Sequence, residues 1–299
     1  HITSLQSDPI KKDVLKWFKS VHLPAVKNDN PSILKIDHLS YSYDGRHNVL
    51  DDVDIDIREG EMLSIVGKNG AGKSTLAKVL CGFVKEDKGA VLYSNQNIAD
   101  KSIKERAELI GLVMQNPNQM ISKPLIFDEV ALGLRLRGVD EAEIKPRVDK
   151  ILKVCGLAPF IDWPISALSY GQKKRVTIAS ILVLDPHILI LDEPTAGQDY
   201  RHYSDIMEFL REINQSGITV ILITHDMHLM LEYTPRAVVL AGGKKIADAP
   251  ASVVLTDKKV VDEANLKVTS LYYLAQMTGI PDETRFVQSF IDYERSVKS

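Results

Sequence analysis

The sequence is poor in several features that would otherwise set its class. Only two of its 299 residues are cysteine, Cys81 and Cys155. Neither sits in a metal-like spacing and there is no disulfide framework, which points to a reducing, cytosolic setting. Net charge is also scarce, at a formal −3. That argues against the general electrostatic grip of nucleic-acid binders, so no nucleic-acid partner is expected. No apolar run reaches bilayer length, because the most hydrophobic stretch, "IASILVLDPHILILD", is interrupted by Asp185 and Pro186. The first residues hold no apolar core of a secretion signal, and a membrane role is expected only through a partner. Internal repeats and low-complexity tracts are missing too. What is present is 44% hydrophobic and 26% charged, enough for one large domain or a core with a subdomain.

Residues 1–31 read as separate from the rest of the chain. "DPIKKDVLKWFKSVHLPAV" predicts a short amphipathic helix carrying Val14, Leu15, Trp17 and Phe18 and stopping at Pro24, and "KNDNPS" reads as a polar linker. His1 stands where an initiating Met would be, so the chain is expected to be cut from something longer. Residues 32–250 form the body. "SILKIDHLSYSY" and "NVLDDVDIDI" alternate as half-exposed antiparallel strands do, and "EMLSIVG" is a short apolar strand leading into a glycine loop. After "KSTLAKVLCGF", a helix, comes the buried strand "ELIGLVMQ". Residues 117–185 are mostly helical, with "IFDEVALGLRLRG" and "IKPRVDKILKVCG" as clear segments. Strand resumes in "HILILDEP", a helix comes next near 201–215, and "GITVILITHD" is strand again. Apolar strands alternating with helices predict an α/β fold with a mainly parallel sheet covered on both faces. Residues 251–299 form a C-terminal extension, helical from 257, with Phe286, Phe290 and Tyr293 spaced for one face.

The stretch "GKNGAGKST" at 67–75 fits G-x-x-x-x-G-K-[ST] between a strand and a helix, the context such a loop requires. The backbone of Gly67, Asn69, Gly70, Ala71, Gly72, Lys73, Ser74 and Thr75 is expected to wrap phosphates. Lys73 would neutralise β- and γ-oxygens, and Ser74 would ligate Mg²⁺. "HILILDEP" delivers Asp192 and Glu193 at the carboxyl end of a buried strand, where Asp192 would hold Mg²⁺ in its outer shell and Glu193 would polarise an attacking water. Gln115 and His225 each end a strand, at the edge of a parallel sheet where ligands bind. "ALSYGQKKRV" adds a second helix start able to hold an anion: Ser169 is a good N-cap and Gly171 lets the backbone come close.

Lys73, Gln115, "LSYGQ" at 168–172, "LDE" at 191–193, Asp199 and His225 occur in the order and spacing of an ABC-type ATPase, and over roughly 32–250 the chain resembles that family. The resemblance implies a P-loop NTPase (RecA-like) core with an antiparallel β subdomain, an inserted α-helical subdomain at about 117–185, and ATP with Mg²⁺ as ligands. It implies a head-to-tail dimer in which the phosphate loop of one subunit faces the Ser169, Gly171 and Gln172 helix start of another. Neither phosphate site would then be complete in one chain, so ATP would join the two. By the same resemblance Tyr43, not its neighbour Tyr41, stacks on adenine. Gln115 looks like the residue that senses Mg²⁺ and signals to a membrane subunit, His225 like the γ-phosphate contact, and Asp199 like the residue crossing the dimer interface. Two positions depart from the family pattern. Tyr170 replaces the first glycine of Leu-Ser-Gly-Gly-Gln and is expected to point away from the nucleotide, and Gln198 stands where leucine is common.

Within the family, "MQNPNQMI" at 114–121 and the helical tail look like energy-coupling factor (ECF) ATPases. This resemblance implies a motor at the cytoplasmic face of the membrane, coupled to a transmembrane coupling protein and a substrate-binding membrane protein that import vitamins or metal ions. The extension would help hold the ATPase pair together, and the partner could be an identical or a different ATPase half. The preamble at 1–31 suggests the second half of a tandem fusion. A soluble ABC protein acting on ribosomes or DNA is the competing class, and it usually carries a coiled-coil insertion or basic linkers that are not visible here. A P-loop kinase is disfavoured by the Ser169 helix and by the absence of an acceptor lid.

Overall fold

A computed structural model describes residues 9–20, 29–195 and 200–298. The chain runs from α1 (Pro9–Ser20) into the long strands β1 (Ser32–Ser42) and β2 (Asn48–Arg58), then β3 (Met62–Val66) and α2 (Lys73–Leu80). Next come β4 (Lys88–Tyr93), β5 (Gln96–Asn97), the short α3 (Ile103–Arg106) and β6 (Ile110–Val113). The helical insertion consists of α4 (Ile126–Leu136), α5 (Glu141–Val154) and α6 (Tyr170–Leu182). The core resumes with β7 (Ile188–Asp192), α7 (Tyr200–Gln215), β8 (Thr219–Thr224), α8 (Met227–Tyr233) and the hairpin β9 (Arg236–Ala241) and β10 (Lys244–Pro250). The extension holds α9 (Ala251–Val254), α10 (Lys258–Ala264), α11 (Ser270–Thr278) and α12 (Glu283–Lys298).

Among the described residues these strands make two sheets. One is antiparallel, ordered β2-β1-β4-β5, and the other is ordered β10-β9-β3-β8-β7-β6 with every pairing from β9 to β6 parallel. The periodicity explains the split. In β2, Val53, Ile55 and Ile57 are buried while Asp54 and Asp56 are only half-buried, as in a sheet with one wet face. In β3 and β8 every residue is buried, because helices or the second sheet cover both faces.

Alternate side chains of the parallel strands feed different cores. Leu189, Leu191, Val220 and Leu222 join the helical insertion and α7 in one apolar cluster. Ile188, Ile190, Ile221 and Ile223 join α2 and the antiparallel sheet in another. A third cluster gathers α8, the extension and α1. There Trp17 meets Phe286, Phe290 and Tyr293 edge-on, with centroids 6.0, 5.8 and 5.6 Å away, and Phe18 meets Phe286 at 5.7 Å. The helix that the sequence sets apart thus lies on the aromatic face of α12. Strands β3, β6, β7 and β8 run in one direction and deliver their carboxyl ends to the same edge, where the site forms.

Candidate nucleotide-binding site

The loop between β3 and α2 is shaped by glycines with backbone angles that side chains resist. Gly67, Gly70 and Gly72 have φ of 151°, 81° and 101°. The Lys73 side chain is buried beneath the loop and its Nζ donates to the carbonyls of Gly67 at 2.7 Å and Lys68 at 3.2 Å. Burial pushes the Lys73 pKa down, and Glu193 and Asp192 push it back up. The ammonium therefore sits where an incoming phosphate would offset its desolvation.

At the end of β7, Asp192 Oδ2 accepts from the Ser74 hydroxyl at 3.1 Å. Burial raises the Asp192 pKa, opposed first by that hydrogen bond. A desolvated carboxylate beside a hydroxyl oxygen is a hard oxygen pair that suits Mg²⁺. Glu193 follows with φ of 46°, rare for a non-glycine residue and costly unless its surroundings impose it. Its surroundings do: the Glu193 N–H donates to Ile223 O at 2.8 Å, Oε2 accepts from Thr224 Oγ1 at 3.2 Å, and Oε1 lies 2.6 Å from His225 Nδ1.

One cavity of about 330 Å³ is lined by Asn69, Gly70, Gly72, Lys73, Ser74, Thr75, Gln115, Asp192 and Glu193. Tyr43 is 58% exposed with its hydroxyl 3.3 Å from Thr75 Oγ1, whereas Tyr41 is 9% exposed and packs edge-on against it at 4.9 Å. Gly67, Asn69 and His225 also border a larger cavity of about 730 Å³, lined as well by residues 265–270 of the extension. Gln115 is not the last residue of its strand: β6 stops at Val113, and Gln115 lies in the exit loop.

Ser169, Gly171 and Gln172 are elsewhere. They line a separate cavity of about 350 Å³ with Arg175 and Asp205. Ser169 and Gln172 form a capping box: Ser169 Oγ accepts from Gln172 N at 3.3 Å and Gln172 Oε1 accepts from Ser169 N at 2.9 Å. Tyr170 turns its hydroxyl toward Gln115 O at 3.3 Å, within the same chain. Asp199 and Gln198 lie outside the described residues. Two further residues belong to this architecture. Thr224 supports Glu193 and could have been suspected as a polar residue ending the apolar run "VILIT". Lys174, 0% exposed, could have been suspected as a cation on the buried face of α6.

A family model described as ABC transporter matches residues 50–196. Curated relatives include ABC transporter ATP-binding proteins of Clostridium perfringens, 56% identical over 283 residues, and of Enterococcus faecalis, 58% identical over 268 residues. The matches take in 95% and 89% of this chain and 50% and 47% of those proteins, so the chain spans about half the length of the curated relatives it matches. Among solved structures, CbiO1 from Clostridium perfringens, part of the ABC transporter complex cbiONQ, is 36% identical with a TM-score of 0.72, over 83% of this chain and 99% of that one. The chain belongs to the ABC transporter ATP-binding family. As an ABC ATPase it carries the P-loop NTPase fold of a family that binds and hydrolyses ATP. A cassette solved in its ADP conformation resembles this ABC ATPase too, at 29% identity and TM-score 0.71, over 78% of this chain and 98% of that one. No helix among the described residues of the ABC ATPase is long and apolar enough to cross a membrane.

Proposed function

We propose that this chain is the motor of an ECF-type importer, using ATP to drive uptake of a vitamin or metal ion through membrane partners at whose cytoplasmic face it sits. One observation carries the reading. The phosphate loop with its carboxylates and the Ser169 helix start line separate cavities of one chain, which supports the head-to-tail pairing implied by the family resemblance, in which a second cassette supplies the other feature. The partner cassette is either a second copy or a different ATPase half. The likeness to CbiO1, itself part of a transporter complex, supports importer over soluble ABC protein.

The roles follow from the resemblance to the family, carried onto the matching positions, and the chemistry of those residues supports them. The loop N–H groups from Gly67 to Thr75 bind the phosphates, Lys73 neutralises them and Tyr43 stacks on adenine. Ser74, Asp192 and Gln115 would hold Mg²⁺, which would supply charge neutralisation for the phosphates. Glu193 accepts a proton from the attacking water, with its carboxylate aimed by Thr224 and by the His225 ring, which also reaches for the γ-phosphate. Ser169, Gly171 and Gln172 cap the γ-phosphate of the ATP on the partner cassette. ATP binding thereby favours the closed pair and hydrolysis releases it.

The test is Glu193→Gln. Turnover is expected to fall by about 10²–10⁴-fold, the worth of a positioned base, while ATP binding persists and ATP doubles the particle mass in light scattering. Unchanged turnover would remove Glu193 from its role. A parent rate per chain that ignores dilution, with no ATP-linked pairing, would refute the shared site.

A further inference from the structure

The start of α6 has two working faces. Ser169, Gly171, Gln172 and Arg175 line the 350 Å³ cavity. Tyr170 and Lys174, one helical turn apart on another face, are turned toward the loop that leaves β6. Lys174 Nζ donates to the carbonyl oxygens of Met114 at 2.9 Å and Gln115 at 2.7 Å, and the Tyr170 hydroxyl reaches Gln115 O at 3.3 Å. Gln115 meanwhile lines the phosphate-loop cavity. One residue therefore borders the phosphate-loop cavity while its backbone is gripped by the helix whose tip lines the other cavity.

The grip is hard to release. Lys174 is fully buried, and a buried ammonium that loses its acceptors is strongly penalised. Hydrogen bonds from a cation are also about twice as strong as neutral ones. Tyr170 adds a tie that the glycine usual at this position cannot make.

We propose that Tyr170 and Lys174 are positioning residues that fasten the Gln115 segment to α6, so that a shift of Gln115 at one nucleotide is delivered as a shift of the Ser169 helix end at the other. This rests on the roles proposed above for Gln115 and Ser169. It predicts that the exit loop and the first two turns of α6 respond to nucleotide together, even in a single chain.

Hydrogen exchange on the full chain, in the Glu193→Gln background with Mg²⁺-ATP and diluted until light scattering shows only monomer, reads this directly. In that parent, ATP is expected to slow exchange both at residues 113–117 and in the first two turns of α6. In Lys174→Met the first segment should still respond, while the response of α6 drops at least about fivefold, as loss of a charge-assisted bond implies. Lys174→Gln, which keeps a donor, should recover part of it. Tyr170→Phe removes only a hydroxyl, cannot threaten folding, and should weaken the α6 response by about twofold. The proposal is overturned if α6 responds alike in parent, Lys174→Met and Tyr170→Phe, or is silent while 113–117 responds. If 113–117 also ignores ATP, the proposed role of Gln115 falls and the tie falls with it.

Discussion

Gly72 and Gly70 separate two costs that the phosphate loop combines. Gly72 has φ of 101°, and a methyl there would lie 2.7 Å from Val49 O and 2.8 Å from Leu50 Cδ2. Gly70 has φ of 81° with nothing within 4 Å of the position a methyl would take. Either alanine substitution forces a side chain into the left-handed region, at about 1 kcal/mol. Only Gly72→Ala adds overpacking, typically about 1–3 kcal/mol, and the Leu50 methyl can rotate aside whereas the Val49 carbonyl belongs to the paired strand β2. Gly72→Ala is thus expected to lose about 2–4 kcal/mol and Gly70→Ala about 1 kcal/mol. Urea unfolding followed by circular dichroism gives both numbers, provided the slopes agree. Because Gly72 precedes Lys73 and Ser74, its variant should also lose more ATP affinity than the Gly70 variant. Equal midpoints for the two variants, or a Gly72→Ala protein as stable as the parent, would refute this account of the loop.

Tyr43→Ala should weaken ATP binding about tenfold in a fluorescent-nucleotide titration and Tyr43→Phe far less, since in the proposed role the ring supplies the stacking. Burial pushes the Cys81 and Cys155 thiols up to about 12. Native protein at pH 8 should accordingly react with a thiol-disulfide reagent at least about 10²-fold more slowly than unfolded protein. Fast labelling of both cysteines in folded protein would show those sites to be open. Trp17→Ala removes three edge-on ring contacts, and should speed hydrogen exchange in α12 by about tenfold or more while leaving β7 unchanged.

The legible parts of the chain are those governed by local rules. Apolar runs covered on both faces mark β3, β7 and β8, glycine spacing marks the phosphate loop, and the Ser169–Gln172 box marks the start of α6. What escaped is set by partners remote in sequence. The amphipathic pattern around Trp17 predicts a helix but cannot name α12 as its partner. The exit of β6 comes at Val113, before Gln115, because that backbone bonds to a lysine of α6 instead of continuing the ladder. The left-handed turn at Glu193 is invisible in residue types, since glutamate carries no preference for it. Tyr170, visible only as a departure from a pattern, acquires a contact once the fold brings Gln115 beside it.

Strand β7 has neighbours hydrogen-bonded along both edges and apolar packing above and below. An element held from four directions has almost no soft mode of its own. The two carboxylates at its tip are consequently mounted on a firmly held base. On the proposed motor role, any stroke handed to a membrane partner would be measured from that fixed point, so slackness introduced at Ile190 or Leu191 would shorten the stroke without touching a single ligand atom.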